Sequence, residues 1–516
     1  MSWLALPFII RPLIAVLTQG FFQPDEYFQS LEPAHRAVFG YGHLTWEWTA
    51  QPPIRSIAYP AIWMPVYSAL QRAGLDNGAL LVLAPKLLSG LLAALTDFFG
   101  WKLARKLYGP RVANVWLLLS LSSIFHVLAL SRTFSNSLET SLTVAALYYW
   151  PLVDGLDHDL TKALILAALS CLIRPTSAII WTLLGVELLV RTVTMWQPVA
   201  PILSKVAIVG TLFSLAQLGL DTTYYGKPTF TPFNFLSVNI SSVSSFYGVN
   251  QWHYYFTQAL PILCTTSLPF VAHGAWLTKM LPGEIGRGSR TLFNLCRWVV
   301  TVYSFMGHKE WRFIHPLLPI FHLFAALSLA SLFAKSVKAE AKKDEGKEPS
   351  TTIAATTLPI RRAHLILLLS TLPASIYVIF FHSRAQIAVM HHLRSLPSSE
   401  LRSVGFLMPC HSTPWQAYLH RPEVEMWAIG CEPPLSVDSG FPPSPLPSSP
   451  PGDSSVTDWI YAWPSHLAFF GHLTHTHPEI EQILRQKGYQ VTWETGNGWE
   501  EDERRRGGIQ VWSFSQ

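Results

Sequence analysis

Charge is what this sequence has least of. Asp, Glu, Lys and Arg make up 13% of its 516 residues, against about 25% in an ordinary soluble domain. So few charges cover the water-facing surface of a long chain poorly, and this disfavours a soluble enzyme. Cysteine is scarce as well: five residues are too few for a disulfide-built scaffold. The formal net charge is only +5, which argues against a nucleic-acid partner, because such partners are held by many basic contacts. No internal repeat is evident, so the inverted repeats common in transporters are missing. No small-residue cleavage site follows the first apolar stretch, 3–19, which Arg11 interrupts. That stretch reads as a retained membrane span rather than a signal peptide.

What is abundant points the same way. Half of the residues are hydrophobic and the mean hydropathy is +0.27. Trp (20), Tyr (17) and Phe (29) are plentiful, as in the aromatic belts of membrane proteins. Apolar runs of membrane-spanning length fall at 3–20, 79–101, 112–131, 135–153, 161–174, 176–195, 202–220, 257–278, 291–307, 312–334 and 364–382. The pair flanking Arg174-Pro175 could instead be one longer helix kinked at the proline. Basic clusters follow the second run (Lys102, Arg105, Lys106, Arg111), the eighth (Lys279, Arg287, Arg290, with Arg297) and the tenth (Lys335, Lys338, Lys342, Lys343). With these on the cytosolic side, as Lys and Arg bias requires, the N-terminus is cytosolic and the C-terminus luminal. The polar clusters at 21–78, Ser131-Arg132, Arg174, 221–256 and 308–310 then share the non-cytosolic face.

The expected fold is therefore an all-α polytopic membrane protein with about eleven transmembrane helices and in-plane luminal helices. A small C-terminal luminal domain of α/β type completes it. The membrane module covers 1–382, with a first luminal loop at 21–78 and a cytosolic linker at 335–363. The luminal domain covers 383–516, with strand and helix pieces at Val404–Met408, Val424–Ile429, Trp459–Phe470 and Ile480–Trp493 around a Ser- and Pro-rich loop.

Four groups of residues carry chemistry. Pro24 suits the first position of a helix, which puts Asp25 and Glu26 in the first turn, where the helix dipole favours carboxylates. They either cap that helix or supply a general base beside the membrane. Trp46, Glu47 and Arg55 lie in an aromatic, glycine-bearing stretch; they read as an interfacial belt or as binding groups for a sugar and a phosphate. His308, Lys309, Glu310 and Arg312 crowd the start of a span, an arrangement suited to an anionic head group. No H-E-x-x-H or H-x-x-E-H spacing accompanies them, so no metal site is expected. Trp252 and His253 form a further aromatic–polar block. On the same face lie a sequon at Asn239 and a disulfide candidate, Cys410 with Cys431. Cys171, Cys264 and Cys296 lie in or beside spans and read as packing residues.

Several of these blocks together resemble a known family. Pro24-Asp25-Glu26-Tyr27-Phe28-Gln29 with Glu32 and His35, Phe39-Gly40-Tyr41-Gly42, Leu44-Thr45-Trp46-Glu47, and His308-Lys309-Glu310 with Arg312-Phe313 and Pro316 are similar to the dolichyl-phosphate-mannose-dependent mannosyltransferases of glycosyltransferase family 22. Met408-Pro409-Cys410-His411-Ser412-Thr413-Pro414 and the block from Trp252 to Gln258 resemble the branch that adds the third mannose of the GPI anchor. Trp311 departs from the pattern, which has a smaller or polar residue there.

The resemblance implies a GT-C helical bundle in the endoplasmic reticulum membrane with a luminal active site. It implies mannose transfer from dolichyl phosphate mannose to a mannosylated GPI precursor, in α-1,2 linkage and with inversion. For that reaction we expect Asp25 as base with Glu26 in reserve, and His308, Lys309 and Arg312 on the donor phosphate with Glu310 orienting them. Arg55, Trp46, Glu47, Trp252 and His253 are expected to shape the sugar sites. No cofactor and no obligate protein partner is expected; membrane lipids surround the chain. The alternatives are a fourth-mannose or N-glycan-precursor enzyme of the same family and, in a different class, a lipid transporter or scramblase.

Overall fold

The computed structural model describes residues 3–153, 158–240, 246, 248–343, 358–430 and 463–514. The chain is mostly helical. Among the described residues six helices are long and apolar enough to cross a membrane: Leu80–Tyr108, Pro175–Thr194, Ala200–Tyr225, Tyr255–Leu277, Trp311–Val337 and Arg362–Ser395. Pro7–Leu17 and Leu160–Ile173 are shorter apolar helices. Each apolar run picked out in the sequence falls on helix. At Arg174-Pro175 there are two helices rather than one kinked one. Arg174 is extended, as a residue before proline prefers, and a short 3-10 turn at Pro175–Ser177 opens the next helix.

The chain divides into two compact units that do not follow chain order. The first is Met1–Val16, Lys86–Gly226 and Ser244–Ile376. Its helices approach closely where a residue lacks a side chain. A Cβ on Gly90 would lie 2.4 Å from Pro12 Cα, and one on Gly274 would lie 1.8 Å from the Phe324 carbonyl oxygen. Such small-residue contacts replace the hydrophobic effect that lipid cannot supply between helices. The arginine that interrupts the first apolar stretch is fully buried. Arg11 Nε donates to Asp97 Oδ2 (2.7 Å), and its Nη2 donates to Asp97 Oδ1 (3.1 Å) and the Ser120 carbonyl (2.9 Å).

The second unit is Leu17–Pro85, Lys227–Val243 and Tyr377–Gln516. Here a helix opens at Asp25, passes through a π-helical segment at Tyr27–Leu31, and continues as Glu32–Phe39 until Gly40 (φ 87°) ends it. The helix Thr231–Ile240 packs Val238 against Trp46 and Ile54. A five-stranded sheet of β1 (Ser403–Phe406), β2 (Glu425–Ala428), β3 (His466–Phe470), β4 (Tyr489–Thr495) and β5 (Ile509–Phe514) has the order β2-β1-β3-β5-β4. β1 is parallel to β2 and β3; β5 is antiparallel to β3 and β4. The sequence signalled the first four strand pieces. It hid β5, which follows the run Glu500-Glu501-Asp502-Glu503-Arg504-Arg505-Arg506 and two glycines.

Candidate functional site

In the first unit the cations gather around Glu310. Arg312 approaches that carboxylate with two nitrogens: Nη2 donates to Oε1 (2.7 Å) and Nε pairs with Oε2. His308 places Nε2 3.0 Å from Glu310 Oε1 and Nδ1 3.0 Å from the Gly248 carbonyl. Both neighbours only accept hydrogen bonds, so the ring needs both of its protons, and the hydrogen bond to Glu310 raises the His308 pKa. Glu310 is itself pulled down to about 2: burial pushes it up, but Arg312 and His308 outweigh that. Lys309 is buried and donates to the Asn250 carbonyl at 2.6 Å; Asn250 returns a hydrogen bond to the Lys309 carbonyl (2.8 Å). Burial lowers the Lys309 pKa. The local reason for this density is the extended backbone at Glu310, which leads the chain from the loop after the helix Gly283–Phe305 into the 3-10 segment Trp311–Leu317. Trp311, the departure from the family pattern, packs edge-on against Phe125 at 5.2 Å.

Two further arginines belong to this unit and were not picked out as site residues in the sequence. Arg174 binds Glu139 (3.2 Å) and Ser135 Oγ (2.9 Å), at the start of the helix Ser135–Tyr149. Asn136, in the same turn, donates to the Arg312 carbonyl (3.2 Å), and the Arg312 guanidinium lies over the Phe134 ring (5.3 Å). Arg132, buried, precedes that turn and donates to the Leu128 carbonyl (2.6 Å). Arg132, Arg174, Lys309, Arg312 and His308 thus lie in one unit with Glu139 and Glu310, and a largely water-excluded cluster rich in basic side chains suits a phosphate. The available signal was Arg174 between two apolar runs, since a charge at such a place is rarely idle.

A second polar group in this unit surrounds the Arg11–Asp97 pair. Ser120 Oγ bonds Asp97 (2.5 Å) and His126 Nδ1 (2.9 Å), and the His126 ring lies 5.5 Å from that of His315 and 5.1 Å from that of His322. All three histidines are buried. Both nitrogens of His315, His126 Nε2 and His322 Nδ1 lack a hydrogen-bond partner among the described residues. Among those residues no group of three or more His, Cys, Asp or Glu is arranged to hold a metal ion.

The second unit holds Asp25 and Glu26 at the head of the helix 25–39. Glu26 is buried, whereas Asp25 is half-buried. The next turn is π-helical, a rare geometry that recurs at functional sites. Gln29 donates to Glu47 Oε2 (3.1 Å), and Arg55 donates twice to Glu47 Oε1, from Nε (3.0 Å) and Nη2 (2.6 Å). The Arg55 guanidinium also lies over the Phe235 ring at 5.7 Å. Glu47 therefore ties Arg55 to the helix that carries Asp25, and Trp46 is buried beside them.

The same helix is fastened to the C-terminal segment. Glu32 Oε1 accepts from the Trp415 amide (3.0 Å) and the Ala417 amide (2.8 Å). Its complete burial raises its pKa to about 7, against the lowering pull of these amides. His35 Nε2 lies 2.8 Å from His420 Nδ1, and His420 Nε2 lies 3.4 Å from Asp76.

The remaining candidates are dispersed. Trp252 is 68% exposed, and exposed His253 bonds Thr257 (3.2 Å). Asn239 donates to the Phe235 carbonyl (2.8 Å). Cys410 is disulfide-bonded; Cys431 lies outside the described residues. Cys171, Cys264 and Cys296 are free.

Comparison with known proteins places these residues in context. The Alg9-like mannosyltransferase family matches residues 2–420. GPI mannosyltransferase 3 of Yarrowia lipolytica is 35% identical over 97% of this chain and 94% of its own length. GPI alpha-1,2-mannosyltransferase 3 of Homo sapiens is 33% identical over 94% of this chain and 81% of its own length. ArnT from Cupriavidus metallidurans, in its crystal structure bound to undecaprenyl phosphate, shares the fold with a TM-score of 0.61 at 12% identity, covering 99% of this chain and 97% of that one.

Proposed function

Because the chain belongs to the Alg9-like mannosyltransferase family, we propose that it transfers the third mannose of the GPI anchor precursor. The donor is dolichyl phosphate mannose and the new bond is α-1,2. The GPI mannosyltransferase 3 relatives in yeast and human support the choice of acceptor. The observation that carries the reading is the buried group of cations around Glu310, with Arg132 and Arg174 beside it. A leaving lipid phosphate needs positive charge fixed in advance where water is excluded, and this group supplies it.

The chemistry assigns the roles. A β-linked mannosyl phosphate that yields an α-mannoside reacts with inversion, by one displacement at the anomeric carbon. The acceptor 2-hydroxyl must lose its proton to a base as it attacks. Asp25 takes that proton; it is the more accessible of the two adjacent acids, and buried Glu26 positions the helix turn. Lys309, Arg312 and protonated His308 neutralise the departing dolichyl phosphate, and Glu310 orients them. Glu47 and Arg55, with Trp46, shape the sugar site. The reaction runs in the endoplasmic reticulum membrane with its chemistry on the luminal side, about eleven spans, a cytosolic N-terminus and a luminal C-terminus. No nucleotide diphosphate has to be neutralised, so we assign no metal to the step, and a chelator should leave the rate unchanged.

Depleting the protein and identifying the glycolipid that accumulates tests the reading. A GPI precursor with two mannoses is expected. A three-mannose GPI precursor or a truncated N-glycan precursor would move the enzyme to another acceptor. In microsomes Asp25→Asn should abolish transfer with the protein still present. Transfer that survives Asp25→Asn and fails in Glu26→Gln would exchange the two acids.

A further inference from the structure

Three histidines meet in the interior of the first unit, each from a different element. His126 opens the π-helical segment His126–Leu130, His315 lies in the 3-10 segment Trp311–Leu317, and His322 lies near the start of the helix Leu318–Lys343. All three are buried, as is Arg11 from the helix Pro7–Leu17. The His126 ring lies 5.5 Å from that of His315 and crosses that of His322 nearly at right angles at 5.1 Å. Apolar rings border the group. Phe125 packs edge-on against His315 at 4.9 Å; Trp116 lies 6.4 Å from His322 and donates to the Pro319 carbonyl (2.9 Å). Neither lipid nor apolar side chains offer a hydrogen bond, so buried imidazoles in a membrane-spanning module need a partner of their own.

Counting hydrogen bonds shows what kind of partner is needed. The Asp97 carboxylate only accepts, so Ser120 Oγ gives it its hydrogen (2.5 Å) and in turn accepts from His126 Nδ1 (2.9 Å). His126 is left with a bare Nε2, an acceptor. A neutral imidazole carries one donor and one acceptor, and in His315 neither is bonded; His322 Nδ1 and Arg11 Nη1 also have no partner among the described residues. The unmet atoms are thus both donors and acceptors. The carboxylate bonded to the group, Asp97, is matched by Arg11, so no charge is left over to hold an anion or a cation. The rings stand 5.1 and 5.5 Å apart and make no hydrogen bond to one another. Such a gap is of the size that one bridging water spans.

We propose that His126, His315 and His322, with Arg11 Nη1, form a binding site for buried water, and that this hydrated group fixes the segment that carries Arg312. Water both gives and takes hydrogen bonds, needs no counter-charge, and when buried typically bonds about three polar atoms. The second half rests on the assignment of Arg312 to the donor phosphate. In a 3-10 helix, side chains three residues apart lie one above the other, so His315 stands on the same edge of Trp311–Leu317 as Arg312. Tying His315 to the interior therefore sets the roll of the segment, and with it the direction of the guanidinium. His315 is a positioning residue in this scheme and does not touch the donor.

Substitution in the full chain gives a test by sign. Leu and Gln are close to His in size, but Leu makes no hydrogen bond and Gln both donates and accepts. With water bound, His315→Leu strands it and the neighbouring nitrogens, and the unfolding midpoint in detergent should fall by about 3 °C or more, while His315→Gln stays within about 1 °C of wild type. With no water there, His315→Leu removes two unsatisfied buried atoms and the midpoint should rise; that result overturns the site. Cryo-electron microscopy of the full chain in nanodiscs should show density within hydrogen-bond reach of at least two of the rings, and a metal ion held by them would also overturn it. For the second half, the chain is reconstituted in vesicles with dolichyl phosphate mannose and the two-mannose GPI precursor. Donor KM should rise about fivefold in His315→Leu and recover in His315→Gln, with acceptor KM unmoved. An unchanged donor KM beside a lowered midpoint overturns the positioning role. If His315→Leu does not accumulate, His322→Leu and His322→Gln repeat the comparison. Arg312→Ala, run in parallel, keeps the readings apart: retained transfer there sinks the phosphate assignment, while the midpoints still decide the water.

Discussion

The cations around Glu310 are held by near neighbours, with Arg312 and His308 each two residues from the carboxylate they share. The helix that carries Asp25 is held from far along the chain: Glu32 reaches amides 383 and 385 residues away. The first arrangement follows from the order of side chains at one bend. The second exists only after the C-terminal sheet has formed. Damage should therefore look different in the two places. In the first group it should change charge and chemistry while leaving the fold; in the second it should loosen the fold before it touches the chemistry.

The largest effect should come from Arg312→Ala. It removes the guanidinium assigned to the departing phosphate, a loss of about 3 kcal/mol of transition-state stabilisation, or roughly a hundredfold in kcat/KM. Transfer assays at matched protein amount check this, and a loss below tenfold would mean that the pair is not part of the phosphate site. Glu310→Gln comes next. In the wild type the His308 charge is present below its raised pKa and is lost as pH climbs through it, so donor KM should rise on the alkaline side. Without the carboxylate the imidazolium loses its main support, and the same rise should appear at lower pH, with about a tenfold weaker donor KM at neutrality. An unshifted profile would detach His308 from donor binding.

Glu32 separates the two regions most cleanly. Its carboxyl sits near 7 in the folded chain, above its ordinary 4.5. The folded state thus keeps a proton that the unfolded state has lost, so stability falls as pH rises from 4.5 to 7 and is flat above that. Gln keeps an oxygen for both amides and has no charge to bury, so Glu32→Gln should flatten this slope and unfold no earlier than wild type at pH 8. Glu32→Ala strands two buried amides and should cost about 1–3 kcal/mol. Thermal unfolding in detergent at pH 5 and pH 8 reads both. The smallest effect belongs to Arg55→Lys, which trades a fork for a point charge against Glu47 and should raise acceptor KM about threefold.

Much of the site was legible because it is local. Pro24-Asp25-Glu26 announces a helix start, and five ionisable groups between His308 and His315 announce a functional bend, since lipid tolerates charge only where it is used or paired. Arg174 was visible as a charge between apolar runs, but its partner Glu139 was not, because nothing in a sequence pairs two helices. β5 was missed because its alternation is short and its flank is charged. The Glu32 contacts and the ring of His411 against Phe28 could not have been found at all, since each joins residues separated by most of the chain.

The first stretch, Asp25 and Glu26 at the head of a helix beside an apolar segment, was therefore fixed by local chemistry: proline, dipole and hydropathy act within a few residues. So were the helical class and the basic bend at Glu310. Tertiary structure alone decided which acid is buried and which stays accessible, which distant amides hold Glu32, and which imidazole lies against Phe28. Those are matters of burial and long-range contact, and they are settled only when elements from the two ends of the chain pack against each other.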